Sequence, residues 1–389
     1  MLFLVCISSV TLVVQKVEAS GTIYIRADGS IDPPTAPIQR DGETYVFTDD
    51  VYEPIVVERD NIVVDGERYT IQGTGVPFVE GILMNERKNV SISRIEISAF
   101  DYGINLFNCS AIIISENNIR NGRDGLIFSA SSNNMISGNN IIDFDNCGIQ
   151  LDDYSNNNTI QKNNVTNCSF VGLQVDGGVA QHSDNNTISE NNITSNNNSG
   201  IYIVGCYNNV VHDNNVGNNT LYGISIYSSS NNTVSGNNVR DNEIGIQLRG
   251  SSNNNIVYGN IMTRNSYGIY LEGLLFGGDG PSDNFLYHND FINNTQQVYP
   301  IDSGYANSWD DGHPLGGNYW SDYNGTDTNH DGIGDTPYII DANNTDHYPL
   351  MSPYIIPEFP SFLILPLFFL ATLLAVLVHR RKHRGLFKK

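Results

Sequence analysis

Apolar residues in this chain fall two apart in short runs, and the runs recur. Residues 185–205, NNTISENNITSNNNSGIYIVG, set the pattern, with Ile188, Ile193, Ile201 and Ile203 as its apolar beats. A spacing of two is strand periodicity, because successive side chains of a strand point to opposite faces. The phrase returns as NNTIQKNNVTNCSFVGLQV from Asn157, NNVVHDNNVGNNTLYGISI from Asn208 and NNTVSGNNVRDNEIGIQL from Asn231. Asn pairs start at residues 117, 139, 163, 191, 214 and 237, followed by Gly259-Asn260 and Asn289-Asp290; the spacings are 22, 24, 28, 23, 23, 22 and 30. Gly-aliphatic pairs keep the same beat from Gly103-Ile104 to Gly268-Ile269.

A period in the twenties predicts one supersecondary unit per copy, each needing its neighbours to bury its apolar face. About 22 residues supply two or three short strands and their turns, so the expected fold is all-β, a solenoid of parallel sheets. A helical repeat is excluded by the missing 3.6-residue spacing, and a leucine-rich horseshoe by the scarcity of Leu. Parity places Asn191 on the same side as Ile193, facing inward. Stacked copies then put Asn139, Asn163, Asn191, Asn214 and Asn237 in one interior column, where side-chain amides can bond to one another and to turn backbone. Gly before each aliphatic pair suits close backbone approach.

The flanks read differently. Residues 20–80 alternate as short strands without the Asn pattern and are expected to form an N-terminal β cap; the repeats occupy 81–300, with loop insertions near 176–183 and 274–283. Residues 1–19 read as a secretory signal ending in Val17-Glu18-Ala19. After a closing block at 301–351 and a linker at 352–361, residues 362–378 are an apolar run long enough for one transmembrane helix, and 379–389 form a basic cytoplasmic tail. The expected location is the extracellular face of the cell membrane.

Composition sharpens this picture. Only 16% of residues are charged and the net charge is -22, which excludes a nucleic-acid partner because phosphate binding needs a basic face. Without the signal, Cys109, Cys147, Cys168 and Cys206 remain. Cys147 and Cys168 lie in neighbouring copies and could pair; the alternative is four small buried hydrophobes.

The N-T-I-S-x-N-N-I phrase followed by G-I-x-L resembles the repeats of the NosD-like family over residues 80–300. That resemblance implies a right-handed parallel β-helix, a fold shared by pectin-type polysaccharide enzymes and surface proteins. It also implies a copper role in nitrous oxide reductase maturation. Copper transfer uses clustered Met, His or Cys, and the dispersal of His182, His212, His288, His313, His330 and His347 argues against copper here. The Pro357-Glu358-Phe359 motif, apolar run and basic cluster resemble archaeal sorting tails of the PEF-CTERM type, which a sortase-like membrane protease can process.

The closing block, GNYWSDYNGTDTNHDGIGDTPYIIDANNTDHYPLM from Gly317, resembles the segment that ends many archaeal NosD-like chains. Within it, Asp327, Asn329, Asp331, Ile333 and Asp335 follow Ca²⁺-loop spacing, with Gly332 sixth. Tyr338 takes the twelfth place, where an EF-hand has its Glu. The two readings are a Ca²⁺ site and an Asp/Gly-stabilised turn without metal.

For catalysis, Asp152 and Asp153 are the adjacent acidic pair within the repeats. Asp143, Asp145 and Asp176 join them in neighbouring copies, with Arg120 and Arg123 nearby. The Gly-His-Gly and Arg-x-Lys companions of polygalacturonases are missing. A solvated acidic face is the favoured reading of these carboxylates. The expected function is therefore a structural, adhesive or carbohydrate-binding surface protein, with outward Tyr202, Tyr227 and Tyr270 to stack on sugar rings. The expected partners are the membrane and a polysaccharide or other cell-envelope component. The alternative is a polysaccharide lyase or hydrolase.

Overall fold

A computed structural model describes residues 21–178, 181–273, 280–299 and 305–354. The expected signal, transmembrane helix and basic tail lie outside the described residues. Among those described there is no helix, and the chain winds as a right-handed parallel β-helix whose turns build three sheets of 13, 12 and 11 strands, here sheets A, B and C. One turn shows the plan. Ser199–Val204 lies in sheet A, Val210–His212 in sheet B and Asn215–Gly217 in sheet C, after which Tyr222–Tyr227 returns to sheet A.

Register follows the apolar beats. Ile201 pairs with Ile224, Val211 with Val234 and Val216 with Val239, so identical positions stack turn on turn. All six are fully buried. The three-residue strands of sheets B and C bury their middle residue and turn the flanking side chains outward, which is why the sequence shows isolated apolar beats rather than long runs.

Asn stitches the corners. Each ladder Asn donates from its backbone N–H and side-chain amide to the Oδ1 of the Asn one turn on, as Asn191 does to Asn214 at 2.9 Å in both bonds. The expected column is present and longer than expected, running from Asn117 to Asn318 at the corner between sheets B and C. Asn260, not Gly259, occupies its place next to Asn237. Two further ladders run through Asn134–Asn344 between sheets A and B and Asn196–Asn294 between sheets C and A. The Gly of each sheet A strand is needed for space. A Cβ on Gly200 would stand 2.5 Å from Val216 and 2.8 Å from the Gly223 carbonyl.

Both ends are closed by residues that depart from the repeat. Parallel pairing reaches back to Ile23–Ile25 against Ile55–Val57, and the antiparallel partners Ile31–Asp32 and Ile38–Asp41 flank that first turn. At the far end Asp346 takes the next ladder place and accepts Asn318 N–H and Trp320 Nε1–H, both at 2.8 Å, and Tyr348 N–H at 3.0 Å. Cys109, Cys147, Cys168 and Cys206 are free and buried, so Cys147 and Cys168 do not form the disulfide considered for them. Burial raises all four thiols, pushing Cys168 and Cys206 up to about 12.

Candidate functional site

Sheet A is the widest face, and its six-residue strands expose columns of side chains along the helix axis. The inserted segments after Asp176 and Glu272 both leave from the same edge of this sheet, the side that turns towards sheet B. The face therefore carries outward aromatic and polar residues on its floor, and the chain leaves it for the inserted segments along one edge. Two concavities lie on it.

The first, about 1090 Å³, includes Tyr102, Arg123, Asp124, Asp145, Gln150 and Asp152 in its wall. Buried Asp124 anchors it, accepting from Asn146 Nδ2 at 2.6 Å and the Cys147 amide at 3.0 Å, while Arg123 Nε donates to its other oxygen at 3.1 Å. Arg123 lies 4.5 Å over the Tyr102 ring and also bonds the Tyr102 hydroxyl. Gln150 donates to Asp152 Oδ2 at 2.7 Å, and one turn on Gln174 donates to Asp176 Oδ2 at 2.9 Å. The Gln150–Gln174 register places the two carboxylates on successive turns, spaced by one strand separation, roughly 4.8 Å. Asp152 Oδ1 is buried and has no hydrogen-bond partner among the described residues. Burial, followed by the like charges of Asp176, Asp153 and Asp124, pushes Asp152 up to about 6, while the Gln150 bond opposes the shift.

This geometry sorts the acidic candidates. Asp152 and Asp145 share the concavity with Arg123. Asp153 is exposed, and Asp143 lines a neighbouring hollow with Asp145. Arg120 lies in sheet C, paired with Ser98 and Ile142, and is absent from both walls. Sequence proximity placed it with Arg123; the corner between the sheet C strand Asn118–Gly122 and the sheet A strand Asp124–Ser129 separates them.

The second concavity, about 370 Å³, is walled by Tyr202, Tyr222, Tyr227, Gln247 and Arg249. Ser225 donates to Gln247 Oε1 at 2.8 Å, and Gln247 donates to Glu272 at 3.2 Å, both beneath the rings. Arg249 lies 5.4 Å from the Tyr227 ring centre and 3.2 Å from Glu272. Burial pushes the Tyr202 hydroxyl up to about 12. Tyr270 continues the row, stacked on Tyr299 at 4.8 Å. The aromatic expectation named Tyr202, Tyr227 and Tyr270; Tyr222, Gln247 and Arg249 were missed, although the x positions of the repeated G-I-x-[LI]-x marked Gln247 and Arg249.

In the closing block, Asp327 accepts from the Asp331 and Gly332 amides at 3.2 and 2.9 Å, and Asn329 Oδ1 also accepts from Asp331 at 3.3 Å. Asp331 Oδ1 accepts from the Ile333 amide at 3.0 Å, and Asp335 Oδ2 from the Thr328 amide at 2.9 Å. These bonds hold Asp331 and Asp335 below the usual carboxylate range. Tyr338 stacks on Trp320 at 4.2 Å and bonds Asp322, so the twelfth place is structural. The oxygens of Asp327 and Asn329 converge on one amide, whereas Asp335 turns towards Thr328.

Copper donors do not assemble. His182 bonds Gly205, His288 bonds Leu315, His212 pairs with Asp213 and His347 with Asp310. Among the described residues no three His, Cys, Asp or Glu gather in a metal-holding group.

The family model described as periplasmic copper-binding protein (NosD) matches residues 55–204 and 173–325. No curated protein matches the sequence. Among solved structures, the Azotobacter vinelandii mannuronan C-5 epimerase AlgE6 A-module is 16% identical with a TM-score of 0.55, over 68% of this chain and 79% of that one. A point mutant of the periplasmic alginate epimerase AlgG is 18% identical with a TM-score of 0.61, over 75% and 82%. The AlgE4 A-module is 15% identical with a TM-score of 0.52, over 74% and 91%. At these identities the likeness concerns the fold.

Proposed function

This chain belongs to the NosD family, and from that premise we propose an extracellular, membrane-held β-helix that binds polysaccharide along sheet A. The family's periplasmic description supports a place outside the cytoplasm. The observation that carries the reading is the second concavity, where three Tyr rings surround Gln247 and Arg249. Rings supply faces for sugar C–H groups, and the amide and guanidinium supply directional bonds to hydroxyls. Turns repeat at roughly 4.8 Å, close to the rise of one sugar in an extended glycan, so a chain along the axis meets equivalent positions.

Charge narrows the ligand. Glu80, Asp101, Asp124, Asp145 and Asp152 face one Arg in the larger concavity. That acidic wall repels polyuronates, so the alginate substrates named for the AlgG and AlgE structures do not transfer, and neutral or amino-sugar glycans fit. A glycan array with the full chain tests this. Binding of neutral or amino-sugar polymers that falls at least tenfold in Tyr222→Ala supports the reading; binding unchanged by Tyr222→Ala and Arg249→Ala refutes it.

A second reading, polysaccharide cleavage, is favoured by Asp152. A carboxyl raised to about 6 can donate a proton near neutral pH, and Asp176 on the next turn offers a second carboxylate. Reducing-end release lost in Asp152→Asn, with binding intact, supports cleavage.

A further inference from the structure

Sheet B carries a different message from sheet A. From Val90–Ser93 to Phe285–Tyr287, nine strands present two outward positions each, and none of these is Asp, Glu, Lys or Arg. The chain as a whole has a net charge of -22. Its copies repel one another, so any close approach between them has to use a face without charge.

The outermost column of this face has a symmetrical order. Between Ser91 at one end and Ser308 at the other, Ile113 and Met135 come first, each 41% exposed, and Ile256 and Phe285 last, 36% and 48% exposed. Only Thr and Val lie between them, in continuous register. Reversed end to end, the column matches itself as apolar, apolar, small, small. We infer that sheet B is the contact face of a two-fold dimer of this chain, packed sheet on sheet with the strand stacks running in opposite directions.

The axis falls between Thr187 and Val210. Met135 then meets the second copy's Ile256, and Ile113 meets the second copy's Phe285, each contact occurring twice, as an isologous interface requires. Ladders that lock the turns in register restrain sheet twist, which lets the two faces stay parallel over the whole stack. Seven strand steps span roughly 34 Å and three-residue strands are roughly 10 Å long, so the uncharged strip covers roughly 340 Å² per copy, with Glu116, Lys162, Glu190 and Asp213 along its rim. That is below the size of stable specific interfaces, so the dimer is weak, reversible and concentration-dependent, with the acidic rim opposing it.

Sedimentation velocity of the full chain in non-ionic detergent tests the inference. The protein mass is expected to approach twice the monomer value as concentration rises, and association should strengthen with added salt as the repulsion between copies is screened. Met135→Lys alone and Ile256→Glu alone should each remain monomeric while keeping the wild-type circular dichroism spectrum and melting curve. An equimolar mixture should recover dimers, because one contact then opposes the two introduced charges and the other keeps its apolar pair. A wild-type chain that stays monomeric, single variants that dimerise like wild type, or a mixture that stays monomeric overturns the inference.

Discussion

Replacing Asn191 with Ala isolates one rung of an internal ladder. Asn191 Oδ1 accepts the Asn163 N–H at 2.9 Å and the Asn163 side-chain amide at 3.0 Å; its own amide reaches the Ile160 carbonyl at 2.9 Å and Asn214 Oδ1 at 2.9 Å. Ala removes all four bonds. Asn163 Nδ2 keeps the Ile136 and Gln161 carbonyls, and Asn214 Oδ1 keeps the Asn191 backbone N–H. The buried Asn163 N–H loses its partner, whereas the Ile160 carbonyl lies mid-strand in the parallel pairing with Thr187–Ser189 and loses only a second donor. One orphaned N–H at about 1–3 kcal/mol, together with the other bonds removed, puts the loss at about 2–4 kcal/mol. Asn192→Ala is the internal control. Asn192 is exposed and bonds Asn164 and Asn215 on the outer face of sheet C, where water takes over, so the expected loss is about 0.5 kcal/mol or less. Because a solenoid unfolds by neighbouring units, amide hydrogen exchange is the suitable assay: protection should fall at Asn163 and spread to adjacent turns. Equal exchange in the two variants would refute the assignment of Asn to the scaffold.

Asp346→Ala removes the acceptor for three N–H groups at the end of the coil, and exchange should rise first in the Trp320 and Tyr348 segments, with a local loss of about 2–4 kcal/mol. Between Asp327→Ala and Asn324→Ala, only the first should abolish heat on Ca²⁺ titration if the closing loop holds the ion; heat retained in Asp327→Ala rejects those ligands. For Asp152 the sign is set by a folded pKa raised to about 6 against about 3.9 unfolded. Below pH 4 both states are protonated and nothing is lost. From pH 4 to 6 the unfolded chain releases its proton first, so the folded state loses stability, by about 1–2 kcal/mol once partial solvent screening is allowed for. Urea midpoints should fall across that window in wild type and stay flatter in Asp152→Asn.

Much of the scaffold was legible because one periodicity carried two independent markers. Ile201 and Ile203 revealed the sheet A strand, and Asn191 the corner, since parity alone decides the face of each residue. The second and third ladders were harder to see. Asn186 and Asn196 each sit beside another Asn, and only the register shows that Asn186 is buried while its neighbour Asn185 turns outward at φ 59°. A doubled residue with one member in the left-handed region hides its own phase, and Gly259-Asn260 was displaced by one residue because Ile261 replaces the second Asn of that pair. The site was less legible still, because Arg120 and Arg123 look equivalent in sequence and lie on different faces.

The same division assigns work to the three sheets. Corner Asn residues hold successive turns in register by hydrogen bonds that involve no outward side chain, so outward positions are free to vary without weakening the coil. Sheet A uses that freedom for Tyr, Arg and paired Gln-x-Asp positions, sheet B keeps it uncharged from Val90 to Tyr287, and sheet C lines part of it with a second, exposed Asn ladder. If outward chemistry and scaffold are separable, Tyr222→Ala should erase glycan binding with little change in hydrogen exchange, and Asn191→Ala should raise exchange locally before it touches binding. A Tyr222→Ala chain whose turns open as widely as those of Asn191→Ala would show that sheet A side chains belong to the scaffold after all.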